Sequence, residues 1–203
     1  MSSQNQMDNQ SQSNQAKAES ILTNCQAILH GHFLLTSGRH GDIYMQCAKV
    51  QQYPEHMEAI AKIVAEGFKD EQVDIVIAPA VGGIVFGYEL ARQLKAKAIF
   101  AERQDGKMTL RRGFEIPKGA RVVVAEDTIT TGGSVKEVID IAREQKADLI
   151  GVGAIVDRTG GTIDLGARME AAYSKKIISY TPEACPLCKD GKPIVKPGSR
   201  AVV

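Results

Sequence analysis

The stretch Val122-Val-Val-Ala-Glu-Asp-Thr-Ile-Thr-Thr-Gly-Gly-Ser134 decides the fold of this chain. It begins as an apolar, β-branched run, the pattern of a strand buried on both faces. Two adjacent carboxylates follow, Glu126 and Asp127. A turn of hydroxyls and glycines then opens into helical periodicity through Val135, Val138, Ile139 and Ala142. Strand, acidic pair, phosphate-sized loop and helix, in that order, describe a sugar-phosphate site at the carboxyl end of a parallel strand. Unpaired buried charge is strongly disfavoured, so the two carboxylates must meet solvent or a partner. The vicinal hydroxyls of a ribose suit such a pair. Thr-Thr-Gly-Gly-Ser adds hydroxyls and closely approachable backbone N–H groups with a helix N-terminus behind them. Ser134 and Glu137 also fit a Ser-x-x-Glu capping box, and the two readings are compatible.

The flanking sequence repeats the pattern. Val73–Ala78 reads as a buried strand, Pro79–Gly83 as a turn, Ile84–Leu94 as a helix and Ala98–Ala101 as the next strand, a β-α-β crossover. Met57, Ile60, Ala61, Val64 and Phe68 mark an amphipathic helix before it. Leu149–Val156 is a further buried strand ending in Asp157-Arg158-Thr-Gly-Gly161, and Ile177–Tyr180 is expected to be the last strand. Arg103–Gly113 is basic, bounded by glycines and without clear periodicity, and it reads as a mobile loop. The alternation predicts an α/β fold with a doubly wound, mainly parallel sheet. Ligands of such sheets bind beyond the carboxyl ends of the strands. Ala80–Gly83, Arg103–Gly113, Glu126–Ser134 and Asp157–Gly161 all fall there.

Bulk properties narrow the function classes. The 203 residues suffice for one substantial core. Lys and Arg total 25 against 24 Asp and Glu, so neither a basic field for nucleic acid nor an acidic excess exists. Trp is absent and aromatics are few, which disfavours a base-stacking platform. No apolar run approaches the ~20 residues that span a bilayer, and the N-terminus lacks the pattern of a secretory signal. A cytoplasmic protein acting on a small molecule, with no nucleic-acid or membrane partner, is the expectation. No Gly-x-Gly-x-x-Gly follows a strand, which excludes a dinucleotide-binding domain.

Residues 1–16 are nearly all Ser, Gln, Asn and Met and read as a disordered polar tail ahead of one domain over 17–203. Ile21, Leu22, Cys25, Ile28 and Leu29 fall at helical spacing with a stop at Gly31. His32–Gln46 reads as two short strands joined by the Ser37–Gly41 turn, where Arg39 and His40 are expected to be solvated. His30 and His56 read as helix-surface residues. Cys185-x-x-Cys188 offers half of a zinc site. Cys25, Cys47 and His30 could complete it only if the fold brought them near, and idle thiols are the favoured reading.

Val122–Ser134 resembles the phosphoribosyl-diphosphate (PRPP) signature of the type I phosphoribosyltransferases, in the form carried by the orotate phosphoribosyltransferases. Thr36-Ser-Gly-Arg39 with Tyr44, Ala101-Glu-Arg103, Asp157-Arg158, Cys185-Pro-Leu-Cys188 and Lys196-Pro-Gly-Ser-Arg200 agree with that family. The resemblance implies a small hood formed by about 17–50 and 180–203. It implies that Glu126 and Asp127 hold the ribose hydroxyls of PRPP and help tolerate charge developing on the sugar. Thr128, Ile129, Thr130, Thr131, Gly132, Gly133 and Ser134 would bind the 5′-phosphate. Val81, Gly82, Arg103 and Lys107 would bind pyrophosphate, with Lys107 catalytic, and Thr130, Arg158 and Tyr44 would meet orotate. The implied cofactor is Mg²⁺, held by substrate and water with no direct protein ligand. The implied assembly is a homodimer whose loop 103–113 completes the neighbouring site. Many bacterial members carry lysine at the positions of Thr36, Gly82 and Gln104 and a histidine near Thr109, and Arg111 and Arg112 are candidate substitutes for the missing cations. A purine or xanthine phosphoribosyltransferase is the alternative enzyme. A PRPP-sensing regulator on the same fold is the alternative from another class, opposed by the balanced charge.

Overall fold

The computed structural model describes residues 2–35 and 37–197, with side chains from residue 9 onward. Thr36 and the Gly198–Arg200 part of the tail lie outside the described residues. In chain order the elements are α1 (Ser2–Asn24), β1 (Ile28–Leu34), β2 (His40–Met45), α2 (Ala48–Gln51), α3 (Pro54–Glu66), β3 (Ile75–Pro79), α4 (Gly83–Leu94), β4 (Lys97–Gln104) and β5 (Lys107–Leu110). They continue with β6 (Arg121–Ile129), α5 (Gly133–Glu144), β7 (Asp148–Asp157), β8 (Met169–Ser174), β9 (Ser179–Tyr180), a 3₁₀ turn at Pro182–Ala184 and α6 (Pro186–Lys189).

The main sheet has the order β5-β4-β3-β6-β7-β8. All neighbours are parallel except β5, which pairs antiparallel with β4 at the edge. A second, three-stranded sheet β1-β2-β9 is antiparallel. The decisive stretch lies near the centre: β6 pairs with β3 on one side and β7 on the other. Period-two alternation splits its side chains between two cores. Val123 and Ala125 pack with Val76, Ala78 and Ile155 under α1, α3 and α4, contributed by Leu22, Ile60, Val64, Phe86 and Leu90. Val122 and Val124 pack with Ile75, Ile77, Val152 and Ala154 under Val135, Val138 and Ile139 of α5. Val122, Val123 and Val124 are completely buried, and each such side chain contributes roughly 1.5–3 kcal/mol.

The structure departs from the sequence expectation in five places. α1 ends at Asn24 rather than running to Leu29. Gln26 has φ 54°, and Ala27 N donates to Leu22 O while Gln26 N donates to Thr23 O. That is a Schellman closure with glutamine in the left-handed position, so no glycine announces it, and His30 lies on a strand instead of a helix. The polar segment 2–16 is helical, the first two thirds of α1. The helix docks through Ala18 and Leu22, both fully buried, and through Glu19, which accepts a hydrogen bond from Tyr173. Extending a helix from a docked nucleus is far less costly than starting one.

Residues 103–113 form a hairpin, not a structureless loop. Asp105 (φ 51°) and Gly106 (φ 82°) make a two-residue turn between Gln104 and Lys107, the geometry that Asp-Gly favours. Finally, β8 was absent from the expectation, because Met-Glu-Ala-Ala-Tyr-Ser has no β-branched residue. The strand expected over Ile177–Tyr180 shrinks to β9, which belongs to the small sheet.

Gly153 sits in β7 where α3 and α4 press on the sheet. A Cβ there would lie 2.8 Å from Leu90 Cδ2 and 3.0 Å from Val64 Cγ1. Valine has the better strand propensity, worth up to ~1 kcal/mol, but overpacking costs ~1–3 kcal/mol. Gly153→Val is therefore expected to destabilise by ~1–2 kcal/mol in urea denaturation, and a midpoint at or above wild type refutes this packing account.

Candidate active site

The carboxyl ends of β3, β6 and β7 meet at one place. β6 delivers Glu126 and Asp127 and then turns through Thr130–Gly132 into α5. A cavity of about 220 Å³ is lined there by residues 128–135 together with Arg103, Glu126 and Glu137. A larger cavity, about 850 Å³, lies at the opposite end between Glu71–Ile75, Leu94–Lys97 and Pro117–Ala120. That end carries the amino termini of the strands, where open parallel sheets do not place ligands.

Gly132 makes the turn possible for two reasons. Its φ is 73°, a conformation unfavourable for residues with a Cβ. A Cβ would also lie 2.7 Å from Ile163 Cδ1 and 2.8 Å from Leu165 Cδ2. No side chain caps α5. The expected capping box does not form: Gly132 is the N-cap, so Ser134 already lies inside the helix, and Glu137 pairs with Arg103, with Oε1 2.6 Å from Nη2 and Oε2 2.9 Å from Nη1. The first N–H groups of α5 thus remain open toward the cavity, where they favour an anion.

The acidic pair lies against two glycines. A Cβ on Gly82 would sit 2.9 Å from Asp127 Oδ2, and one on Gly83 3.3 Å from Glu126 Oε1. The Ala80–Gly83 turn is therefore side-chain-free where the carboxylates approach it. Its position is held by Ala80 N donating to Ala101 O and by Gln51 Nε2 donating to Gly82 O. Glu126 Oε1 accepts from the Asp127 N–H at 3.1 Å. Burial drives the Glu126 carboxyl well above the usual carboxylate range, with Asp127 adding to the rise. Burial likewise raises Asp127. Among the described residues neither forms a salt bridge.

Arg158 stands at the end of β7, more than half buried, and burial lowers its pKa. Its Nε is buried without a hydrogen-bond partner, and among the described residues no carboxylate pairs with it. Tyr44 and Cys47 are the groups whose charge would favour it. Asp157, fully buried, accepts from Thr159 N, Thr159 Oγ1, Gly161 N and Ser174 Oγ at 2.6–2.8 Å. Burial alone would raise its carboxyl, but these bonds hold it below the ordinary value. Asp157 shapes the loop that presents Arg158.

The structure thus gathers Glu126, residues 128–134 and Arg103 around one cavity, with Asp127 against Gly82 next to Glu126 and Tyr44 near Arg158; Gly82 and Asp127 themselves do not line the cavity. Val81 and Lys107 do not line that cavity. Val81 is exposed in its turn, and Lys107 is exposed at the tip of the β4–β5 hairpin. Arg111 and Arg112 lie 3.0 and 2.9 Å from Glu102, not at the cavity. Sequence reading missed Cys47, whose thiol touches Thr128 Oγ1 at 3.1 Å. Burial and the Asp127 charge push it up to about 12. Nothing in its local sequence distinguishes it from a core cysteine.

A family model described as the phosphoribosyl transferase domain matches residues 48–169. The orotate phosphoribosyltransferase of Caldanaerobacter subterraneus subsp. tengcongensis is 54% identical over 184 residues, 91% of this chain and 97% of the relative. That of Chlorobium phaeobacteroides is 53% identical over 188 residues, 93% and 97% of the two chains. The crystal structure of orotate phosphoribosyltransferase from Aeropyrum pernix superposes with a TM-score of 0.65 at 26% identity, covering 76% of this chain and 92% of that one. The chain belongs to the phosphoribosyltransferase family, and within it to the orotate phosphoribosyltransferases.

The raised Glu126 carboxyl has a stability consequence with a definite sign. Its folded pKa lies above the unfolded value of about 4.5, so the folded state binds more protons between the two and stability falls as pH rises through that window. Glu126→Gln removes the buried charge. The ligand-free variant is expected to melt above wild type at pH 8 and to lose that advantage near pH 4.5, as read in thermal scans across pH. A melting difference independent of pH contradicts the assignment.

Proposed function

We propose that the protein transfers the phosphoribosyl group of PRPP to orotate, giving orotidine 5′-monophosphate and pyrophosphate, a step of pyrimidine nucleotide synthesis. Arg158 carries the choice of acceptor. A half-buried guanidinium with an unpartnered Nε, next to an anion-ready helix terminus, suits a planar acceptor that brings its own carboxylate. The named orotate phosphoribosyltransferases at 53–54% identity support the same substrate.

The residues divide the work by charge. The open N–H groups of Gly133 and Ser134 and the hydroxyls of Thr128, Thr130, Thr131 and Ser134 take the 5′-phosphate, with Ile129 setting the turn from its buried side. Glu126 and Asp127 take the ribose hydroxyls. As pyrophosphate leaves, the sugar gains oxocarbenium character, and the two carboxylates then face a developing positive charge instead of a neutral sugar. That is stabilisation stronger in the transition state than in the ground state. A ring nitrogen of orotate, held by Arg158, Tyr44 and Thr130, attacks the anomeric carbon with inversion. The Val81 and Gly82 backbone and Arg103 receive pyrophosphate.

The donor chemistry fits Mg²⁺: two largely covered carboxylates that have no cationic partner among the described residues are hard oxygen groups beside a polyanionic substrate. Glu126 and Asp127 would hold it through substrate hydroxyls and water, and the ion would offset charge on the leaving group. Lys107 stands outside its own chain's cavity, which supports a homodimer in which the outer part of loop 103–113, with Lys107, reaches the neighbouring site while Arg103 stays at its own. Four free thiols are in keeping with a cytoplasmic enzyme.

With Mg²⁺, PRPP and orotate the protein is expected to consume the orotate absorbance and release pyrophosphate. Turnover with adenine, hypoxanthine or uracil in its place overturns the acceptor and keeps the family. Arg158→Gln should raise KM for orotate ~10–100-fold, the equivalent of one charge-assisted bond, with KM for PRPP little changed. Equal losses for both substrates rule out an acceptor-specific role. Lys107→Ala should lower kcat ~10²–10³-fold at nearly unchanged PRPP affinity, and an unchanged kcat removes Lys107 from the mechanism.

A further inference from the structure

The Cys185-x-x-Cys188 pair lacks partners in the sequence but not in the fold. β1 and β2 bring His32 and His40 to it, and the four ligand atoms lie within 4.8 Å of one another. We propose that His32, His40, Cys185 and Cys188 bind a structural Zn²⁺ that ties the N-terminal hairpin to the C-terminal segment; none of the four lines the phosphoribosyl cavity.

The separations fit a tetrahedron. Zn–N of ~2.0–2.1 Å and Zn–S of ~2.3 Å imply edges of about 3.3 Å between nitrogens and about 3.6 Å between nitrogen and sulfur. The structure has His32 Nε2 to His40 Nδ1 at 3.0 Å, Cys188 Sγ to His40 Nδ1 at 3.2 Å, and Cys185 Sγ and Cys188 Sγ to His32 Nε2 at 3.5 and 3.7 Å. Hydrogen bonding alone does not account for this convergence. His32 Nδ1 lies 2.8 Å from Lys192 O, which can only accept. Nδ1 therefore carries the proton in a neutral ring, and Nε2 presents one lone pair, yet three groups crowd it. A carbonyl accepting from the far nitrogen of an imidazole is also the usual support for a metal-binding histidine.

Two features of the fold serve the same cluster. The β1–β2 register shifts between His30 and Phe33, and this bulge buries His32 and Phe33 in succession. Bulges re-aim side chains in this way, and here the result is His32 directed inward. His32, His40 and Cys185 are buried at 4%, 7% and 0% exposure, yet none of them belongs to either apolar core. The hood sheet has a two-residue third strand, and its far end is otherwise joined to the C-terminal segment by backbone bonds between Val195 and both His32 and Leu34. A module this small gains its order from a cross-link more readily than from apolar burial. Two imidazoles and two thiolates in a tetrahedron select zinc, and four protein ligands leave no open position for catalysis. The expected partners Cys25, Cys47 and His30 take no part: Cys47 lies at the phosphoribosyl site, and His30 faces solvent.

The test uses the full-length chain, purified under reducing conditions without a metal-affinity step. Elemental analysis after dialysis is expected to find about one zinc per chain. Co²⁺ added to the chelator-stripped protein should give the d–d and thiolate charge-transfer bands of a tetrahedral site, displaced by equimolar Zn²⁺, and Zn²⁺ should raise Tm. Cys188→Ser and His32→Gln should lose the zinc, and Cys25→Ser should keep it. A wild-type chain with no zinc and no tetrahedral Co²⁺ spectrum overturns the proposal, whether or not the ligand variants fold. So does full zinc retention in Cys188→Ser, or a Cys185–Cys188 disulfide in the reduced-purified protein.

Discussion

At the end of the central strand a buried Glu126 stands beside a half-buried Asp127, and among the described residues no cation neutralises them. This arrangement is costly, because burial disfavours the charged form of each and their proximity disfavours charging both. Much of the local structure accommodates it. Gly82 and Gly83 leave space where any side chain would strike an oxygen of the pair. Cys47, just after β2, sets its thiol against Asp127 O and Thr128 Oγ1, and burial and the Asp127 charge keep that thiol protonated, adding no further negative charge. The cost is borne by two apolar layers, since the three valines preceding the pair are fully buried. β6 is held on both edges, which allows its end to carry an unfavourable constellation without fraying.

The same constraint separates the roles of the surrounding charges. Asp157 is buried as well, but four donors satisfy it, and its carboxyl is held low. It behaves as a bracket for the loop after β7. Arg158, one residue on, is in the reverse condition: half-buried, with an Nε that has no partner. Adjacent residues thus divide into a completed structural group and an incomplete one. Incomplete polar groups are expected where a ligand supplies the missing partner.

Period-two burial and the strand–turn–helix order of Val122–Ser134 made the sheet, α5 and the anion-ready turn legible in the sequence, since each depends on local pattern. Residues 73–101 and 149–158 were legible for the same reason. The features that escaped depend on contacts far apart in the chain or on unusual local chemistry. Gln26 closes α1 in a conformation usually left to glycine. β8 is built from residues with weak strand preference and is held by pairing with β7. The Asp105-Gly106 turn was a readable signal, masked by the basic residues around it. Cys47 and the His32–His40–Cys185–Cys188 cluster could not be read locally, because their partners are brought in by the hood sheet.

The β4–β5 hairpin shows how a cationic element can wait beside an anion site without occupying it. Arg103 is bound to Glu137, and Arg111 and Arg112 lie beside Glu102. Exposed ion pairs of this kind contribute little net stability, because solvent screens them and ordering two long side chains costs entropy. A pyrophosphate carries more charge than one carboxylate and presents it inside a cavity where screening is weaker. On the proposed reading, Arg103 therefore exchanges Glu137 for the substrate at small cost, and Glu137 is released in the second turn of α5. Glu137 lines the cavity, so its pairing with Arg103 in the absence of pyrophosphate keeps that carboxylate compensated and presents less free negative charge to an entering PRPP.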